Sequence, residues 1–161
     1  MAAFEDELLT LLPRMRRFAR SLAHDAADAD DLCQIAVEKA LRARGSWQPG
    51  TRMDSWMYRI MRNAWIDTAR SRHRAAATFV AEEAGAAVGI DGGAEARLAL
   101  DDVAAAMRTL PDEQREAVAL VLVEGLAYKE AATVLDIPMG TLTSRLARGR
   151  QALMTRLGEA A

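Results

Sequence analysis

Two groups of side chains in this 161-residue chain have the types and spacing to meet a polyanion. In the first, Arg59, Arg62, Asn63, Arg70 and Arg74 fall on or near one face of a helix, opposite Trp56, Met57, Ile60 and Ala64. Guanidinium groups neutralise phosphates, and an Asn set among them can hydrogen-bond a base edge. Trp47, Trp56, Tyr58 and Trp65 add rings able to stack on unpaired bases, although Trp56 sits at a core position. In the second group, Thr143, Ser144, Ala147, Arg148 and Arg150 offer short polar, small and cationic groups suited to a major groove and its phosphates. The bland readings share these spacings: a solvated face in the first case, an ordinary helical hairpin with exposed arginines in the second.

Other chemistry finds little support. His24 and His73 lie in different helical segments, Cys33 has no base near it in sequence, and there is no phosphate-binding glycine loop. Asp28, Asp30 and Asp31 partly resemble a calcium loop but lack its Gly and closing Glu, so helix capping accounts for them better. The single cysteine excludes an internal disulfide and any cysteine metal cluster, and beside Leu32 it reads as a small buried hydrophobe. The expectation is a protein that is not an enzyme, with no cofactor and no metal.

The elements that would position these groups are helical. Phe4, Leu8, Leu11 and Leu12, then Met15, Phe18, Ala19 and Leu22, predict one helix broken at Pro13. Acids from Asp25 to Asp31 supply caps and first-turn charges for a second helix, with Leu32, Ile35, Ala36, Ala40 and Leu41 inward, stopping near Gly45. After a loop with Trp47, Pro49 and Gly50, a third helix runs from Met53 to about His73. Residues 75–94 turn to Ala, Gly, Val and acids, with four glycines interrupting any helical pattern, and read as a linker. Such a segment averages roughly 25 Å as a coil and extends to about 70 Å, so the flanking domains would tumble almost independently.

Beyond it, Leu98, Val103 and Met107 mark one helix, and Pro111 with Asp112 and Glu113 starts another whose apolar body is Val118, Leu120, Val121 and Leu122. The stretch from Leu126 to Leu157 holds two helices joined through Asp136 to Gly140. Ala131, Ala132 and Leu135 can pack on Ile137, Leu142 and Leu146, the pattern of a helix-turn-helix. The fold class is therefore all-α: two small helical domains, 1–74 and 95–161, joined by a flexible linker.

Composition agrees. Hydrophobic residues make up 51%, carried by Ala, Leu, Val and Met with few aromatics, a bias toward helix over sheet. The net charge of -2 gives no global sign of nucleic-acid binding. The average conceals segregation: seven Arg stand against two Asp between Arg44 and Arg74, and four Arg against no acid between Gly140 and Leu157. Phe4, Glu5, Asp6 and Glu7 do not resemble a secretory signal, and no apolar run approaches a membrane span, so a cytoplasmic protein is expected.

Three runs in order, DADDLCQIAVEKAL (28–41), MDSWMYRIMRNAWIDTAR (53–70) and LPDEQREAVALVLVEGLAYKEAATVLDIPMGTLTSRLARGRQAL (110–153), resemble the extracytoplasmic-function sigma factors, the smallest branch of the primary sigma-factor family. The resemblance covers nearly the whole chain except the linker. It implies a factor that directs core RNA polymerase to specific promoters. In the family, the second helix docks on the clamp coiled coil of the polymerase, which makes Asp28, Asp31, Leu32, Gln34 and Glu38 polymerase contacts. The third helix and the loop before it recognise and melt the minus-ten element. Asn63, in the W-x-x-x-I-x-x-N pattern, would read a base flipped from the non-template strand, with Arg59, Arg62 and Arg70 beside it. The recognition helix reads the minus-thirty-five duplex, placing Thr143, Ser144, Arg145 and Arg148 at or beside the DNA, with bracing of the helix an alternative role for Arg145.

An anti-sigma protein covering the polymerase- and DNA-binding faces is a further implied partner. Glu82, Glu83 and Asp91 would let an extended linker enter the basic cavity that later holds RNA. Ile35, where many relatives have an acid, and Val37, where an aromatic is common, imply a polymerase contact that differs in detail; Thr143, at a position often basic, implies a different promoter sequence. Two rivals stand beside this reading. A sigma-like mimic would titrate an anti-sigma factor without touching DNA, yet Asn63 and Arg148 are residues it would be free to lose. A generic helix-turn-helix repressor leaves the first domain unexplained.

Overall fold

The computed structural model describes residues 2–78 and 95–160, with side-chain surroundings for 3–75 and 102–158. Among them there is no strand. The order is α1 (Ala2–Leu22), α2 (Ala26–Arg42), a 3₁₀ turn (Arg44–Ser46), α3 (Met53–Thr78), α4 (Glu95–Arg108), α5 (Asp112–Val118), a π turn (Ala119–Val123), α6 (Tyr128–Leu135) and α7 (Met139–Ala160). The greater part of the expected linker, and with it Glu82, Glu83 and Asp91, lies outside the described residues.

α1 buries Phe4, Leu8, Leu11, Met15, Phe18, Ala19 and Leu22 along one stripe. Contrary to the sequence expectation it is continuous through Pro13. The proline removes the bond to the Leu9 carbonyl, but Pro13 and Leu9 both face solvent, where water can satisfy that group. α2 starts at Asp25, whose carboxylate accepts from the Asp28 N–H at 2.8 Å, the capping role anticipated for this acidic stretch. Its inner face is Ala29, Leu32, Cys33, Ala36 and Ala40, while Leu41, expected inward, is 42% exposed. Small residues at these positions let α1 and α3 pack closely on α2.

α3 extends past His73 to Thr78, because Ala75, Ala76 and Ala77 are strong helix formers. It buries Met53, Met57, Tyr58, Met61, Ala64 and Trp65. Phe4 meets Trp47 and Trp56 edge-on, at 5.5 and 5.9 Å between ring centroids, and fixes the loop before α3.

In the C-terminal half, α5 does not end cleanly. The Glu124 N–H donates to the Ala119 carbonyl at 2.9 Å, a one-residue widening that shifts the helical face. Val118 and Leu120 stay buried, whereas Leu122, expected in the apolar body, is 44% exposed, and so is Val103 of α4 at 41%. The helix-turn-helix forms as expected: Ala131, Ala132 and Leu135 of α6 are buried with Leu142 and Leu146 of α7. Asp136 takes the left-handed conformation at φ 55° between them. α7 crosses α5 at Gly149, where an added Cβ would lie 2.7 Å from Val118 Cγ2 and 3.3 Å from the Gln114 carbonyl.

The two halves pack together, which corrects the expectation of independent tumbling. α1 lies against α4, α5 and the π turn, and α3 against α6, with one buried core running through both halves. Acids of the C-terminal half meet arginines of the N-terminal half across this contact.

Candidate nucleic-acid interface

The outer face of α3 carries Arg59, Asn63 and Arg70, all exposed. Positions 59, 63 and 70 share a helical stripe, and none of the three has a hydrogen-bond or charge partner among the described residues. Free donors aligned on a rigid helix suit phosphates and one base edge. Arg62 differs. It is half-buried, and its Nε and Nη2 donate to Glu116 at 3.2 and 3.5 Å.

Glu116 is 7% exposed, and burial pushes its carboxyl above the usual glutamate range despite the opposing guanidinium of Arg62. A cleft of about 490 Å³ opens beside this pair, lined by Leu22, Trp65, Ile66, Ala69, Arg70 and Glu116 among others.

The aromatic rings proposed as stacking platforms are not free. Trp47 is packed on Phe4, Trp65 is buried with His24 at its edge, and Tyr58 is 1% exposed. Trp56 is half-buried, in keeping with its core position. The Tyr58 hydroxyl donates to Glu124 Oε1 at 2.7 Å. Arg17 grips the same carboxylate with Nε at 2.8 Å and Nη2 at 2.9 Å, a bidentate pair that satisfies a fully buried acid. Burial, then the bond to Glu124, drives the Tyr58 phenol far above its ordinary value.

Arg52 donates to Asp54 at 3.1 and 2.7 Å and also reaches Glu130. Arg14 completes the Asp54 site at 3.0 Å. Burial raises the Asp54 carboxyl, but Arg52, Arg14 and the Ser55 N–H outweigh it, leaving it below the usual range. Glu130 also accepts from the Ala127 N–H at 3.4 Å and so helps begin α6.

On α7, Thr143, Ser144, Ala147, Arg148 and Arg150 are exposed. The Thr143 hydroxyl donates back to the Met139 carbonyl at 2.9 Å. Arg145 turns toward α5, with Nε 3.7 Å from Glu113, so its bracing alternative has a partner here. Thr143, Ser144 and Arg148 therefore remain the outward groups near the start of the helix.

On α2, Asp31, Gln34 and Glu38 are exposed and share a face. Asp28 is held by both Nη groups of Arg72, the Nη1 contact being 2.6 Å, and Arg72 pulls its carboxyl below the usual range. Leu32 is 2% exposed and belongs to the core, so it does not offer the contact surface expected of it. Cys33 is buried, which pushes its thiol up.

Sequence reasoning missed the acids that face the N-terminal half. Glu116 and Glu124 stand in or beside the apolar run from Ala117 to Val123, and a carboxylate at a core position was the available signal for a buried partner.

The architecture is thus that of a three-helix unit followed by a helical unit ending in a helix-turn-helix. Residues 8–75 match Sigma-70 region 2 and residues 100–153 match Sigma-70, region 4. The chain is 34% identical over 155 residues to the ECF RNA polymerase sigma factor EcfG of Rhodopseudomonas palustris, covering 96% of this chain and 85% of that one. It is 32% identical over 160 residues to the RNA polymerase sigma factor CarQ of Myxococcus xanthus, covering 98% and 90%. Among solved structures it superposes with a TM-score of 0.82, at 30% identity and over 98% of both chains, on the Bartonella quintana sigma factor RpoE co-crystallised with the anti-sigma factor NepR.

The chain belongs to the extracytoplasmic-function (ECF) RNA polymerase sigma factors. It is a transcription-initiation factor of the sigma-70 type, and the matches place the branch under sigma-70 rather than under the primary factors. No helix among the described residues is long and apolar enough to cross a membrane.

Proposed function

We propose that residues 1–74 recognise and melt the minus-ten element while 95–161 read the minus-thirty-five element, in the cytoplasm and with no catalytic chemistry of the factor's own. The observation that carries this is the exposed stripe of Arg59, Asn63 and Arg70 on α3, donors with no partner among the described residues. Asn63 reads a flipped base there, and the arginines hold the strand on either side. Arg62 joins them once Glu116 releases it. On α7, Thr143 and Ser144 meet base edges near the helix N-terminus and Arg148 grips phosphate, with Arg145 bracing the helix against α5.

The exposed face of Asp31, Gln34 and Glu38, flanked by Asp28, docks on core polymerase. An anti-sigma factor is a further partner, supported by the close likeness to a sigma factor solved with one bound. The retained, outward-facing Asn63 and Arg148 favour a promoter reader over a mimic. Run-off transcription with core polymerase tests this: discrete transcripts that weaken in Asn63→Ala are expected. Binding to polymerase without any transcript from a matching promoter overturns it.

A further inference from the structure

Three ion pairs cross the contact between the halves, beside its apolar part. Arg17, Arg52 and Arg62 come from the N-terminal half, and Glu124, Glu130 and Glu116 answer them one for one from the C-terminal half. Two of the acids, Glu116 and Glu124, are under 10% exposed, so they are covered by this contact rather than lying loose on a surface. Each carboxylate presents to its arginine what a phosphate would present: an anionic oxygen at hydrogen-bond distance, bidentate at Glu124. The contact also covers Tyr58, whose hydroxyl is spent on Glu124.

Arg62 immediately precedes Asn63, so the segment that would meet the promoter is partly clasped by the chain's own acids. From this we infer that the free protein is held closed by an intramolecular latch, in which Glu116, Glu124 and Glu130 occupy arginines in place of nucleic-acid phosphate. Strand binding and latch closure then compete. Phosphate can replace carboxylate pair by pair in this clasp, which offsets the cost of exposing the apolar part of the contact to water. The inference rests on the proposed DNA reading for its competition step, but not for closure itself.

The test uses full-length protein with Cys33→Ser and dyes on Gln34→Cys and Gln151→Cys, both exposed positions on opposite halves. Energy transfer reports closure, and anisotropy with a fluorescein-labelled single-stranded promoter oligonucleotide reports binding. The closed form is expected to give high transfer, which falls in Glu124→Gln/Glu130→Gln, and that variant is expected to bind the oligonucleotide about tenfold tighter. Asp30→Asn/Asp102→Asn removes two exposed acids that pair with none of these arginines and controls for simple charge. Should the double variant melt early, Glu130→Gln alone, at the more exposed pair, carries the same measurement.

Unchanged transfer overturns the latch, as does equal tightening in the control. If transfer falls while no variant, Asn63→Ala included, alters oligonucleotide binding, the competition fails because the DNA reading beneath it fails.

Discussion

The phenolic O–H of Tyr58 donates to Glu124 Oε1 at 2.7 Å, tying α3 of the first half to the turn after α5 in the second. With Arg17 on the same carboxylate, Glu124 has donors at both oxygens and no exposure of its side chain. Tyr58→Phe is expected to cost about 1–2 kcal/mol, the worth of one hydrogen bond to a charged group. Glu124→Ala is expected to cost about 2–3 kcal/mol, less than for a fully buried pair because Arg17 is half-exposed and can rehydrate. Urea denaturation of both variants measures this.

The acids divide in how pH acts on them. Asp28 and Asp54 have carboxyls held below their ordinary values, so their contribution is present above the usual carboxylate range and is lost as pH falls through their lowered values. Glu116 has the opposite sign. Its carboxyl is raised, so its contribution is present below the ordinary glutamate value and is lost as pH rises through the raised one. Glu116→Gln should therefore gain on the wild type as pH climbs across that window. A series of urea titrations from acid to neutral pH shows the two curves converging or crossing; parallel curves would refute the shift.

Asn63 and Arg148 are exposed and have no hydrogen-bond or charge partner among the described residues, so Asn63→Ala and Arg148→Ala should each leave stability within about 0.5 kcal/mol of the wild type. Both should reduce run-off transcription, each by roughly 5- to 150-fold if one base or phosphate contact of about 1–3 kcal/mol is lost. Shifting the salt concentration separates them, with Arg148→Ala lowering the salt dependence of duplex binding and Asn63→Ala leaving it unchanged.

Leu32 lies in the face-to-face packing of the first three helices, whereas Glu38 of the same helix faces outward. Leu32→Ala is expected to lower stability by roughly 2–4 kcal/mol and to weaken polymerase binding only through unfolding. Glu38→Ala should do the reverse: an unchanged melt and weaker binding to core polymerase in a pull-down or anisotropy assay.

Gly149 sets how closely α7 lies on α5. In Gly149→Ala the gain in helix propensity of about 1 kcal/mol roughly offsets the shift demanded of Val118. Gly149→Leu is expected to cost about 2–3 kcal/mol and to tilt the recognition helix, which a loss of minus-thirty-five-dependent transcription at a temperature below the melt would reveal.

Much of this protein was legible in its sequence because apolar period, caps and turn residues act locally. The seven helices among the described residues, the helix-turn-helix through Asp136 and the outward stripe of Arg59, Asn63 and Arg70 all follow from spacing alone. So does the capping role of the acids after Asp25. Where the reading failed, the deciding force was not local. Pro13 breaks nothing because it faces water, Leu41 and Leu122 turn outward, and the rings of Trp47, Tyr58 and Trp65 are consumed by packing.

The pairings of Arg17, Arg52 and Arg62 with Glu124, Glu130 and Glu116 join residues 54 to 107 positions apart. No periodicity reports such a pair, since periodicity assigns a residue a face and never a partner. Sequence therefore determined which helices form and which side chains could meet a promoter. Tertiary structure decided which of those side chains are free to do so, because a buried carboxylate must find its cation wherever the fold brings one within reach.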